Sequence, residues 1–156
     1  MSSEPVSLLH RNLPLLLLQA REYVLSHFRP ILNAGDVTEQ QWRIMRLLND
    51  AGSLEPREIG EQCRISSPSL AGVLSRMEEL GYITRERVAH DQRRVRVTLT
   101  VRSRALVARL APRIEATYRQ IEERMGPELC AQFYGALDQL IATLRSPRPG
   151  AARTPE

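Results

Sequence analysis

Lysine is absent from this chain: all 22 basic residues are arginine. Arginine makes bidentate contacts with phosphate and guanine that lysine does not. The bias runs the whole length of the chain, however, so codon usage accounts for it and no function is read from it. Aromatic residues make up only 4% of the sequence, which leaves the core to Leu, Ile, Val and Ala and favours helices. Cysteine is confined to Cys63 and Cys130, with no CxxC pair and no histidines at ligand spacing. This excludes a disulfide framework and a zinc site and points to a reducing compartment. His10, His27 and His90 are scattered, and GxSxG, HExxH, P-loop and GxGxxG motifs are all missing. Neither an enzyme nor a cofactor is expected. The apolar run Leu13 to Leu18 falls far short of the roughly 20 residues that cross a bilayer. An amphipathic stretch, Gln19 to Phe28, follows it where a secretory signal would place a small-residue cleavage site. The expectation is a cytoplasmic protein with no membrane partner.

What is present is an ordinary globular composition, 42% hydrophobic and 26% charged over 156 residues. That length suits one compact domain, or a small domain with an oligomerisation element. The net charge is +4, and it is concentrated. Between Tyr82 and Arg104, seven arginines face Glu86 and Asp91, a local net of +5 that leaves the rest of the chain at −1. A charge focused this tightly suits a polyanion such as DNA; the plain alternative is a solvated hairpin.

Periodicity and punctuation predict six helices and one hairpin. A first helix is expected from about Pro14 to Arg29, where Pro30 helps stop it. Thr38, with Gln41 three residues on, forms a capping box for a second helix that ends at Gly52. A short third helix begins at Pro56. After a turn at Arg64 to Ser66 comes a fourth, with Ser67 as N-cap, Pro68 at its first position and Gly81 beyond its last turn. Two short helices joined by about three residues make a helix-turn-helix candidate. From Tyr82 the period turns to alternation. Tyr82 to Val88 and Val95 to Leu99 read as strands around the turn AHDQR, so that a winged helix arrangement results. A long helix from Thr100 to Met125, with Pro112 as a candidate kink, and a last one from Pro127 to Leu144 follow.

The first and last helices are more apolar than a small winged domain needs, and their simplest use is to bury the surplus against a second copy. The fold class is therefore mainly α: a winged helix-turn-helix over 36–100, with an α-helical dimerisation region formed by 8–32 and 101–145. The Pro- and Ala-rich tail, 146–156, is expected to be disordered.

DQRRVRVTLT, Asp91 to Thr100, resembles the wing signature of the MarR family of bacterial regulators: Asp, any, Arg, three of any kind, Val, any, Leu, Thr. Asp91, Arg93, Val97, Leu99 and Thr100 fill it. The segments Leu15 to Leu32, Val37 to Leu48, Ser67 to Gly81 and Ile114 to Met125 are similar to repressors of homoprotocatechuate and hydroxyphenylacetate degradation operons, and to nicotinate-degradation regulators that answer to 6-hydroxynicotinate. The resemblance implies that Ser67 to Leu80 is a recognition helix lying in the major groove of double-stranded, palindromic DNA. Its outer face offers Ser66, Ser67, Ser69, Gly72, Ser75 and Arg76, of which Arg76 is the best candidate for a bidentate or phosphate contact. The serines also serve as plain helix caps.

On the wing, Arg93, Arg94 and Arg96 are expected to reach the narrow minor groove and the phosphates. Asp91 is repelled by DNA, and the family pattern implies that it braces the turn by accepting hydrogen bonds from the Arg93 backbone and guanidinium. For a small aromatic carboxylate, the resemblance directs attention to the end of the first helix and the start of the second: Ser26, His27, Arg29, Trp42, Arg43 and Arg46. Arg43 is the first choice for the carboxylate, and Tyr118, Arg119 and Glu122 could approach. The bland readings are core packing for Trp42 and a surface position for His27. The function expected is a homodimeric repressor of an aromatic-acid catabolic operon, released from DNA by its effector. A cysteine-based redox regulator and a ligand-independent DNA-binding protein are the alternatives.

Overall fold

The computed structural model of the chain describes residues 6–145, so the expected tail at 146–156 lies outside the described residues. Helix α1 (Leu13–Ala34) begins behind Asn12, whose side chain accepts the Leu15 amide, and runs straight through Pro30. The expected stop at Arg29 is thus corrected. An interior proline costs a helix about 3 kcal/mol. Beyond it, however, Ile31 and Leu32 are buried with Phe28, and each such side chain contributes about 1.5–3 kcal/mol. Burial of the last turn outweighs the lost amide.

Helix α2 (Glu39–Ala51) carries both halves of the expected capping box: Gln41 N donates to Thr38 Oγ1 at 3.1 Å and Thr38 N to Gln41 Oε1 at 3.0 Å. It ends at Gly52, whose φ of 80° is open to glycine and strained for other residues. A two-residue strand that periodicity did not predict, β1 (Ser53–Leu54), leads into α3 (Pro56–Cys63), and α4 (Ser67–Glu79) follows. The N-cap of α4 is Ser66 rather than Ser67, which shifts Ser67 and Pro68 into the first turn. Strand β2 (Ile83–Val88) pairs antiparallel with β3 (Asp91–Leu99), and β1 adds to the other edge of β3. The wing turn is only Ala89 and His90. Asp91 opens β3 opposite Val88, with an irregularity at Arg87 and Val88 absorbing the mismatch. Helices α5 (Val101–Met125) and α6 (Pro127–Arg145) complete the order. Pro112 sits within α5, and Val101 at its start is exposed.

Two compact units emerge, Met1–Ile114 and Glu115–Glu156. In the first, α2 supplies Ile44, Met45 and Leu48, α3 Ile59, α4 Leu74 and Met77, and the sheet Ile83 and Val97, all essentially inaccessible to solvent. The α3 to α4 turn is tight. A Cβ on Gly60 would stand 3.2 Å from both the Ile65 carbonyl and Leu70 Cδ2. Gly60→Ala is therefore expected to lose stability, because overpacking costs of about 1–3 kcal/mol exceed the roughly 1 kcal/mol gained in helix propensity. Chemical denaturation should show a lower midpoint at unchanged m-value; a higher midpoint overturns the close-packing argument.

Candidate nucleic-acid interface and ligand face

Ser66, Ser67, Ser69, Gly72, Ser75 and Arg76 all lie on the exposed face of α4. Leu70, Leu74 and Met77 face the core, so amphipathicity alone presents the small residues outward. They are not all idle. Ser66 Oγ donates to Ser69 Oγ at 3.1 Å and makes no cap hydrogen bond; Arg76 pairs with Glu79 at 3.1 Å; Ser75 Oγ accepts from Arg85 Nη2 at 3.2 Å. A groove of about 560 Å³ runs between α3, α4 and β2, lined by Arg57, Gly60, Ser66, Ser67, Leu70 and Arg85 among others. Arg85, which sequence reasoning passed over, lies in this groove with Nε 2.9 Å from Glu78 Oε2, an ion-pair distance but too poorly aimed for a hydrogen bond. Its position in a β alternation was the available signal.

The wing arginines divide. Arg94 Nε pairs with Glu55, the N-cap residue of α3, which draws the guanidinium pKa further up. Arg96 donates from Nε to Ser53 Oγ at 2.8 Å and from Nη2 to Ser53 O at 2.9 Å. Arg87 Nη1 donates to Gln92 O at 2.8 Å. These three arginines hold the hairpin together and tie it to β1 and α3. Arg93 is exposed, and among the described residues its guanidinium has no ion-pair or hydrogen-bond partner. Asp91 Oδ1 accepts the Arg93 backbone amide at 3.0 Å, as expected of a turn brace. The second half of that expectation is corrected: the brace is backbone alone, leaving the Arg93 guanidinium free to point elsewhere. Ser53 and Glu55 were missed because the two-residue strand that places them has no periodicity to detect.

The ligand candidates divide as well. Trp42, half-buried, and Arg46, exposed, stand four residues apart and so share one face of α2. Arg43 lies off that face and is committed. Its Nε and Nη2 donate to the two Glu39 oxygens at 3.0 and 2.6 Å, and its Nη1 to the Cys63 carbonyl. An anion approaching Arg43, the first choice for the carboxylate, would have to displace or share it with Glu39. On α1, Ser26 Oγ donates to Tyr23 O at 2.7 Å, and His27 Nδ1 lies 2.8 Å from the same carbonyl. Arg29 pairs with Glu22, holding that carboxyl below its usual pKa. All three are exposed residues bound to their own helix. Tyr118, half-buried, and Arg119 and Glu122, both exposed, lie on the part of α5 belonging to the second unit.

Burial pushes the Cys63 thiol pKa up despite the neighbouring Arg43, so it stays protonated and donates to Arg43 O at 3.7 Å. A raised pKa runs against the reactive thiolate of a redox sensor. Among the described residues, no helix is long and apolar enough to cross a membrane.

Comparison with known proteins adds four findings. The MarR family model matches residues 35–94. The homoprotocatechuate degradative operon repressor of Escherichia coli is 40% identical over 134 residues, covering 86% of this chain and 90% of the repressor. Among solved structures, a transcriptional regulator is 41% identical with a TM-score of 0.82, covering 85% of this chain and 98% of that one. NadR in complex with 4-hydroxyphenylacetate is 38% identical with a TM-score of 0.76, covering 87% and 96%.

The divided wing makes a prediction whose sign opposes simple charge counting. Glu55→Gln removes a negative charge near the basic hairpin yet should weaken DNA binding several-fold, because Arg94 loses its anchor. Arg93→Ala should lower the slope of log affinity against log salt by roughly one. Fluorescence anisotropy over a salt series measures both. Tighter binding by Glu55→Gln would show that Arg94 acts as a free charge.

Proposed function

The chain belongs to the MarR family of transcriptional regulators, and from that premise we propose that it is a homodimeric repressor of an aromatic-acid catabolic operon, released from DNA by a small hydroxylated aromatic carboxylate. The observation that carries the DNA half is the exposed small-residue face of α4 beside a braced wing whose Arg93 guanidinium has no partner among the described residues. A helix with short side chains lets the protein backbone approach base edges closely, while Arg93 suits the electronegative minor groove and Arg94 and Arg96 hold the wing at the required angle. Arg76 and Arg85 can serve phosphates only by giving up or sharing Glu79 and Glu78.

The dimer is supported by apolar surface that neither unit covers by itself. On α1, Leu13, Leu15, Leu16, Leu17, Leu18 and Val24 are exposed, and on α6 Leu129, Phe133, Ile141 and Leu144. Apolar surface of this extent on each unit marks an interaction surface, and a second copy with two-fold symmetry would set two recognition helices on half-sites roughly one helical turn apart.

For the effector, the Trp42 indole offers an apolar wall and Arg46 the cation on the same face, the pairing that an aromatic carboxylate needs. The identity with the homoprotocatechuate repressor and the 4-hydroxyphenylacetate bound to NadR support this class of ligand. Release requires that the acid bind one arrangement of the winged units better than another, with couplings of about 1–3 kcal/mol being usual.

A gel-shift assay on the promoter upstream of this protein's own gene, titrated with 4-hydroxyphenylacetate, homoprotocatechuate and 6-hydroxynicotinate, tests the reading. DNA should be bound by the protein alone and released by at least one acid. Failure of all three removes the aromatic-acid response and leaves the ligand-independent regulator. Arg46→Ala should weaken acid binding roughly 10- to 100-fold, as loss of a charged hydrogen bond worth about 1.5–3 kcal/mol implies. Trp42 is the single tryptophan, so its fluorescence reports acid binding directly. Unchanged acid affinity in Arg46→Ala places the carboxylate elsewhere.

A further inference from the structure

We propose that Glu39 and Arg43 are positioning residues that transmit effector occupancy on α2 to the turn of the helix-turn-helix, an inference that rests on the effector reading above. Four polar links run across three helices. Arg21 Nη2 on α1 pairs with Glu39 Oε2 at 3.2 Å. Glu39, in the first turn of α2, receives both donors of the Arg43 fork at 3.0 and 2.6 Å. Arg43 Nη1 donates to the carbonyl of Cys63, and the Cys63 thiol donates back to the Arg43 carbonyl at 3.7 Å. Cys63 is the last residue of α3. Arg64, with φ of 54°, then turns the chain, and Ser66 starts the recognition helix two residues later.

The chemistry of each link suits transmission. A bidentate arginine is a planar fork with little rotational play, so Arg43 moves with Glu39 rather than independently of it. The carbonyl it grips is at a helix C-terminus, where partial negative charge is left without an intrahelical donor and a cation is favoured. Helices α2 and α3 already pack against each other, and Ile44, Met45 and Leu48 on α2 and Ile59 on α3 are fully buried. The charged chain is additional to this packing, and its ends are placed for signalling. Arg43 is the residue next to Trp42, and Arg46 follows less than one turn later. An acid that shifts the first turns of α2 carries Glu39 and Arg43 with them, and the displacement arrives at the carbonyl just before the recognition helix. Arg21 makes the same chain sensitive to the position of α1, whose exposed apolar face is the proposed dimer contact.

The test uses the full chain with operator DNA and 4-hydroxyphenylacetate. Acid binding is followed through Trp42 fluorescence, and the coupling factor is the ratio of DNA Kd at saturating acid to DNA Kd without acid. In Glu39→Gln, and separately in Arg21→Gln, which alters only a half-exposed side chain, the acid should still produce a saturable Trp42 signal. The coupling factor should fall by roughly 3- to 30-fold in Glu39→Gln and by less in Arg21→Gln. Glu39→Gln combined with Arg43→Gln should lower it no further than Glu39→Gln alone, as members of one chain do. A merely structural tie would lower the thermal midpoint and leave the coupling factor at the wild-type value in both single variants, and that result overturns the proposal. A wild type whose Trp42 signal ignores the acid defeats the effector reading and this relay together, which separates that failure from failure of the relay alone.

Discussion

The register of one strand governs the rest. In β3, Val97 is wholly buried and Leu99 nearly so, while Arg94, Arg96 and Thr98 take the opposite face. Because the side-chain period of a strand is two, a slip of one residue would drive two guanidinium groups into the core and put the valines in water. Burying an unpaired charge costs far more than any turn preference can return, so the register has no competitor. It also assigns the arginines. Arg94 and Arg96 share the face from which they reach Glu55 and Ser53; Arg93 has the parity of the valines but lies nearer the tip, where its guanidinium has no partner among the described residues.

This changes how the basic patch is understood. Counted by residue, the hairpin is a polyvalent cation. Counted by partner, part of its charge is used internally, with Glu55 and Glu78 opposite Arg94 and Arg85. Exposed pairs of this kind contribute little to stability in water, but they restrict where a long side chain can go. In the proposed DNA contact, a wing preset by the carboxylates of Glu55 and Glu78 would have less conformational freedom to lose, and that saving favours binding as directly as an added charge would.

What could be read in advance follows from range. The capping box at Thr38, the stop at Gly52 and the hairpin after α4 are set by neighbours within a few positions, and all are present as expected. The readings that changed depend on distant partners. Pro30 stays helical because Phe28, Ile31 and Leu32 find a core; β1 exists only because β3 is there to pair with it; Arg43 is occupied by a carbonyl twenty residues away. The wing motif, by contrast, was legible because Asp91 and Arg93 interact through the backbone two residues apart. Which arginine remains available was not, since that depends on Ser53 and Glu55, some forty residues upstream.

The position of α2 gives the proposed effector response and the proposed DNA contact a common element. It packs against α1, α3, α4, β1 and β3. One of its faces holds Ile44, Met45 and Leu48 in the core of the winged unit; another presents Trp42 and Arg46. Protein interiors are packed about as densely as organic crystals, so a displaced core helix cannot be absorbed by compression and must move its neighbours. On the proposed reading, an acid settling on the outer face of α2 would therefore act on α4 without a hinge or a mobile lid. Whether that push becomes a useful change in DNA affinity depends on how stiffly α2 is linked to the end of α3. A purely apolar contact there could slide along the helix axis, as packed helices do in shear motions. The directional bonds from Arg43 to Cys63 resist such sliding, which is the physical reason to expect a charged pair at this boundary where packing alone would have sufficed for stability.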